Sequence, residues 1–300
     1  MKKHNKTLHL EEADLEQKFQ ACPVCGSAET KLVGVIQKDP DINALQCKSC
    51  RLGFADRQPV DKILSDYYAA YYESDRKTTI KKELLMEHLL RFMDNQDGSE
   101  NYKILDFGGG DGSIGFGLAK EILKKEGINK VQVYVVDPNI IKLENNESNI
   151  EIINVAHLKD FPPEVKVDFV IASAVMEHVK DPKTILNQLF DTMKPGARYY
   201  ARTPYIFPFK SLFGKFGYEL DMMFPGHLFD MGSRYWNGVI KKLGRDKDVG
   251  ILRSHTSLVE TSKREDPFGW LISHLFKIPS YLFKNQYHFV GGWEVVFMKK

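Results

Sequence analysis

Cysteine is scarce in this chain and confined to one stretch. The 300 residues include four, all between Cys22 and Cys50. In a cytosolic chain such clustering suggests metal rather than disulfides. Long apolar runs are also missing. No segment offers the roughly 20 apolar residues of a membrane-spanning helix. The opening MKKHNKTLHLEEADLEQ is basic but lacks the apolar core of a secretory signal. These absences predict a cytoplasmic chain. Neither charge sign dominates: 42 Lys and Arg against 40 Asp and Glu leave +2. That balance does not favour nucleic acid, and no DNA partner is expected. Internal repeats and low-complexity tracts are absent as well. What remains is 43% hydrophobic and 27% charged, the composition of a globular chain with room for one α/β domain and an accessory module.

The cysteines form two knuckles, CPVC at Cys22–Cys25 and CKSC at Cys47–Cys50, separated by residues 26–46. Two such pairs complete a tetrahedral four-thiolate shell around one Zn2+, with no coordination position left open. Cys22, Cys25, Cys47 and Cys50 are therefore predicted to hold a structural zinc. Gly26 and Gly53 suit the tight turns of a zinc ribbon. A redox dithiol pair and metal-free thiols are the alternatives.

Four segments follow from the patterning. Residues 1–20 read as a loose polar arm or a short surface helix, and 21–57 as the ribbon. Residues 58–101 form a tyrosine-rich connector (SDYYAAYYESD) and a helix with Leu84, Leu85, His88, Leu89 and Phe92 on one face. The turn-rich run at 94–101 marks entry to a main domain at 102–300. There, short β-rich runs at 103–107, 131–137, 150–155, 167–173 and 197–203 alternate with helical stretches ending in glycine. That alternation predicts a parallel sheet covered on both faces. Apolar inserts occupy 204–229 and 257–291. Ser233–Leu243 reads as a helix, and VGILRSHT and WEVVFMKK as late strands.

The strongest chemical signal is LDFGGGDG, placed between the first strand and its helix. Glycines at 108, 110 and 112 permit a sharp turn and a close ligand approach. The spacing is G-x-G-x-G, and Gly115 comes too late to complete G-x-G-x-x-G. Asp106 stands where it can accept hydrogen bonds from a cationic amino-acid group. Asp137, at the tip of the second strand, can accept from both ribose hydroxyls, and Pro138 can pack on a base. An ordinary βαβ turn without ligand is the bland alternative.

Residues 103–203 resemble the class I methyltransferases that use S-adenosylmethionine (SAM). The resemblance rests on Asp106-x-Gly108-x-Gly110-x-Gly112, on Asp137, on VDFVIASAVMEHVKDP and on MKPGARYYARTP. It implies a Rossmann-like, doubly wound seven-stranded sheet whose last strand is antiparallel, with SAM across the strand tips. The implied cofactor-binding residues are Asp106, Gly108, Gly109, Gly110, Gly112, Asp137, Pro138, His157 and Ser173. His157 stands where the family often has an acid for the adenine amino group, and Asp160 is the alternative.

Methyl transfer to oxygen or carbon benefits from a base. His178, after the fourth strand, and His227, in FPGHLFD, are the catalytic candidates. Bracing roles are the alternatives for both, and Glu177 also reads as a brace. Tyr67, Tyr68, Tyr71 and Tyr72 could form a lid or simply pack a helix. A ribbon, tyrosine connector and single core together resemble the methyltransferases of bacterial polysaccharide clusters. This implies a sugar, nucleotide-sugar or lipid-linked glycan acceptor; RNA or small-metabolite methylation, or a non-catalytic SAM-binding scaffold, are the alternatives. FGWLISHLFKIPSYLFK makes 268–284 a candidate for membrane-surface contact; an acceptor lid, a homodimer surface and plain packing against the core are the alternatives, and Pro279 is expected to break any continuous helix there.

Overall fold

The computed structural model describes residues 8–73, 82–93, 100–139, 147–217, 224–257, 267–283 and 287–300. Most of the turn-rich run at 94–101, parts of both apolar inserts and the side chains of Tyr71 and Tyr72 lie outside the described residues.

In chain order the elements are β1 (Thr30–Gln37), β2 (Ile42–Cys47), β3 (Gly53–Ala55), α1 (Asp61–Glu73), α2 (Lys82–Leu90), β4 (Asn101–Phe107), α3 (Ser113–Ile122), β5 (Lys130–Val136) and β6 (Ile150–Val155). There follow β7 (Val167–Ser173), α4 (Pro182–Asp191), β8 (Met193–Tyr205), α5 (Phe207–Gly214), β9 (Phe229–Asp230), α6 (Ser233–Lys242), β10 (Val249–Thr256), α7 (Pro267–Phe283) and β11 (Gly291–Lys299).

The seven-stranded sheet has the order β10-β11-β8-β7-β4-β5-β6. Strands β4 to β8 pair in parallel, and β11 runs antiparallel between β8 and β10. This is the architecture that the resemblance to class I methyltransferases implies. Alternation in each central strand explains why both faces are covered. Tyr102 and Ile104 of β4, with Val131 and Val133 of β5, pack under α2 and α3. Leu105, Phe107, Tyr134 and Val136 point into the opposite core with Leu186, Leu189 and Trp236. Buried His88 of α2 meets Glu294 of β11 at 2.9 Å, and the Tyr200 hydroxyl donates to the same carboxylate. This polar contact ties α2 into the sheet.

A second sheet has the order β1-β2-β3-β9. Its fourth strand comes from the main domain: Gly53 pairs with Asp230 and Phe54 with Phe229. Among the described residues, no helix is long and apolar enough to cross a membrane.

Four local expectations need correction. The N-terminal arm is not loose over residues 8–20. Leu10 and Leu15 are buried, a single 3-10 turn spans Glu12–Asp14, and Glu16 and Phe19 donate backbone hydrogen bonds to Gln58 and Asp56. Two leucines in a polar run suffice to pin it. The second cysteine knuckle turns at Arg51 (φ 66), not at Gly53. Gly53 instead lies in β3, where a Cβ would come within 2.6 Å of the Phe207 ring.

Helices α3 and α4 stop before their glycines, Gly127 and Gly196. Thr192 ends α4 by donating its N–H to the Gln188 carbonyl and its hydroxyl to that of Leu189. Finally, α7 runs through Pro279. The proline removes one N–H donor, but Leu275, whose carbonyl is left over, is exposed, so solvent can serve it.

Candidate active site

The glycine turn joins β4 to α3. Gly108, Gly110 and Gly112 all have positive φ, so side chains there would strain the backbone. At Gly110 a Cβ would meet nothing within 4 Å, which leaves that edge of the turn open to a ligand. Asp106 is buried beneath the turn, where Oδ2 accepts from the Gly115 N–H at 3.2 Å. This is its one hydrogen bond among the described residues. Burial, and secondarily the Asp137 and Asp111 carboxylates, push Asp106 up to about 7. A buried acid so poorly served fits a ligand that brings its own cation. Gly115 therefore matters in a way its spacing hid: it donates to Asp106 and lets α3 approach Val133.

Asp137 is buried at the tip of β5. One oxygen accepts from the Gly110 N–H at 3.0 Å and the other from the Asn139 N–H at 2.8 Å. Each keeps a lone pair, as a vicinal diol requires. Pro138 is exposed beside it, and His157 is exposed at the start of the 3-10 turn Leu158–Asp160. Asp106, Gly108–Gly112, Asp137 and Pro138 thus gather at one sheet end, and these groups fit SAM. Ser173 stands at the tip of β7, where its hydroxyl accepts from buried Arg202 Nε at 3.2 Å.

Beyond Ser173 the chain bends through Ala174, a non-glycine residue at φ 56. Such strain concentrates at functional sites. The bend brings Val175 against Gly108, where an added Cβ would lie 2.4 Å from the valine, so the glycine turn and the loop after β7 touch. Glu177 and His178 come next. The Glu177 carbonyl accepts from the Leu228 and Phe229 N–H groups at 2.9 and 3.2 Å, which locks this loop to the segment carrying His227. His178 Nδ1 donates to the Gly226 carbonyl at 2.7 Å, and the Tyr68 hydroxyl donates to the same oxygen.

The His178 and His227 rings lie 4.7 Å apart, centroid to centroid, at 70°. Tyr68 packs edge-on to His178. Burial, with His178 as a lesser cause, lowers His227 to about 3 and keeps its ring neutral. Burial also raises Glu177. A small cleft beside His227 is lined also by Pro204, Ile206, Phe207, Phe229 and Asp230. The two histidines of separate motifs therefore lie side by side, with Tyr68 against His178.

The four cysteines converge as well. Cys22 and Cys50 Sγ are 3.5 Å apart, Cys25 and Cys47 Sγ 3.6 Å, and all four lie within 4.8 Å of one another. Sulfurs bound to zinc at about 2.3 Å stand about 3.8 Å apart, whereas a disulfide needs about 2.05 Å. The donor set and spacing fit one Zn2+.

A family profile described as a methyltransferase domain matches residues 72–244. The chain belongs to this methyltransferase family. It is a SAM-dependent methyltransferase. No curated protein matches it. Solved structures similar to this methyltransferase include a chain of the complex between the Haloferax volcanii Trm112 methyltransferase activator and a methyltransferase. That match has 13% identity, a TM-score of 0.47, and covers 79% of this chain and 94% of that one. The plantazolicin methyltransferase BamL, solved with SAH, has 13% identity and a TM-score of 0.47 over 80% and 90% of the two chains. Coclaurine N-methyltransferase has 14% identity and a TM-score of 0.44 over 75% and 73%. Likeness this distant says nothing about the acceptor.

Proposed function

We propose that this methyltransferase modifies a hydroxyl-bearing sugar, nucleotide sugar or lipid-linked glycan precursor at the Glu177–His178–His227 cluster. The observation that carries the reading is the convergence of these polar side chains, under Tyr68, beside the loop that touches the cofactor turn. SAM supplies an electrophilic methyl group. Asp106 binds its ammonium end, and Asp137 binds the ribose hydroxyls, with Pro138 against the base. His157 borders the adenine, while Ser173 lines the pocket between donor and acceptor. The acceptor oxygen attacks the methyl carbon as the carbon–sulfur bond breaks, and the acceptor proton passes to His178 Nε2. In the neutral ring that nitrogen carries the lone pair, because Nδ1–H is held by Gly226. His227 orients the acceptor hydroxyl. Alignment in a partly closed pocket supplies much of the rate.

The cysteine cluster holds a structural Zn2+ in this reading, which fits a reducing cytoplasmic setting. The exposed apolar side of α7, with Phe268, Leu271, Leu275, Phe276, Leu282 and Phe283, would meet the membrane that carries a lipid-linked acceptor.

Transfer of labelled methyl groups from SAM to nucleotide sugars, lipid-linked glycans and bulk tRNA tests the acceptor class. Labelling of a glycan precursor is the expected result. Labelling confined to tRNA would overturn it. Co-sedimentation with lipid vesicles tests α7, and equal recovery without vesicles would remove the membrane contact.

A further inference from the structure

We infer that Glu177, His178 and His227 form a second metal site, open to the acceptor and selective for a divalent first-row transition ion. One ligand atom from each side chain lies within 4.8 Å of the other two. A tetrahedral shell with metal–nitrogen bonds of about 2.0–2.1 Å spans about 3.3 Å between ligands. Small side-chain rotations therefore suffice to close the cluster around an ion.

Two further observations point to a ligand here, and a third keeps the cluster in place. His178 has its Nδ1–H committed to the Gly226 carbonyl, leaving Nε2 as the acceptor-side nitrogen, 3.8 Å from a Glu177 oxygen. Metal-bound histidines are oriented by this same Nδ1–H to carbonyl contact. Glu177 is 1% exposed, and its Oε2 is buried with no hydrogen-bond partner. A buried carboxylate oxygen left without a donor is costly, and a cation removes that cost. Finally, the backbone bonds from Leu228 and Phe229 to the Glu177 carbonyl hold the two ligand-bearing segments together without any ion.

Two imidazoles and one carboxylate favour a transition ion over Mg2+ or Ca2+. They fill three positions only, so the ion can take an acceptor oxygen. His178 and His227 are both partly exposed, which leaves a path to the site. The ion would lower the pKa of a bound hydroxyl. With the ion bound, His178 Nε2 is a metal ligand in place of the base assigned above, so the acceptor proton leaves to water, the acceptor oxygen's pair forms the bond to the methyl carbon, and the carbon–sulfur pair stays on sulfur. Ion binding does not depend on the acceptor's identity; the catalytic role rests on the reading of this cluster as the acceptor site.

The test is metal content of the purified full chain after dialysis against excess Co2+ and then metal-free buffer. Wild type should keep two equivalents, one with thiolate-to-cobalt absorption and one without. Glu177→Gln and His227→Gln should each keep only the thiolate-bound equivalent, with unchanged SAM binding as evidence of folding. A single equivalent in the wild type, or two in both variants, would overturn the site. In a second arm, a mild chelator strips the non-thiolate ion, and methyl transfer should stop and return on adding the ion back. If stripping leaves methyl transfer intact, the catalytic role fails while the binding result and the acceptor assay stand separately.

Discussion

The proposed donor and acceptor ends of this methyltransferase are built in different ways. The donor end is local: Asp106, the glycine turn and Gly115 lie on one strand–turn–helix unit, and Asp137 is on the next strand. The acceptor end is assembled from α1, the loop after β7 and the segment before β9, with the ribbon behind it. Lys180 shows the dependence, pairing with Glu16 of the arm and Asp61 of α1 while its carbonyl accepts from Gln58. Local geometry should survive damage to distant parts, whereas the assembled end should not.

In the proposed zinc-bound form, removing the metal should separate the two ends most sharply. Structural zinc contributes about 10–16 kcal/mol to the folding of small zinc modules. Stripping it, or Cys47→Ser, should unfold the ribbon and deprive β9 of β3. Methyl transfer should fall at least about 100-fold, because small misplacements of reacting groups cost that much. SAM affinity by calorimetry should hardly change; parallel loss of both would show that the ends are not separable.

At the donor end, Asp106→Asn removes a charged partner worth about 1.5–3 kcal/mol, so SAM should bind about 10–100-fold more weakly. The fold should persist, since the change also relieves a buried carboxylate, and thermal melting checks this. At the acceptor end, His178→Gln should lower kcat about 100-fold and leave SAM affinity unchanged. A matching loss in SAM affinity would contradict the assignment.

Acid gives a smaller effect. Asp106 is raised to about 7, and pairing with the SAM ammonium requires its ionised form. Protons therefore compete with SAM below about pH 7, and affinity should fall towards about tenfold per pH unit. It should level off above that pH, and Asp106→Asn should abolish the slope. The smallest change is Tyr68→Phe, which removes one hydrogen bond to Gly226 and should cost only about 0.5–1.5 kcal/mol.

The same contrast governs what could be read from the sequence. The seven strands were legible because each short β-rich run sits between turn residues, and the glycine turn because its spacing is local. The cysteine knuckles were legible for the same reason. Other features gave little signal. A two-residue strand, Phe229–Asp230, has no periodicity. Ala174 adopts a backbone shape that its identity does not announce. Gly115 looked surplus because its use depends on Asp106 below it, and nothing in the sequence marks Gly226, where an added Cβ would lie 2.7 Å from the Tyr67 hydroxyl. The pairing of His178 with His227 depends on tertiary contacts alone. In α7, Pro279 obeyed exposure over local preference.

The fourth ribbon strand also has a consequence for the order of synthesis. Residues 22–55 leave the ribosome long before residues 229–230, so the open edge of β3 must wait for most of the catalytic core to be made. An unpaired edge invites pairing with other chains. Early capture of metal by the four thiolates would keep the nascent module compact through that interval. Growth in metal-poor medium should accordingly yield aggregated protein, a deficit in recovery that precedes any deficit in catalysis.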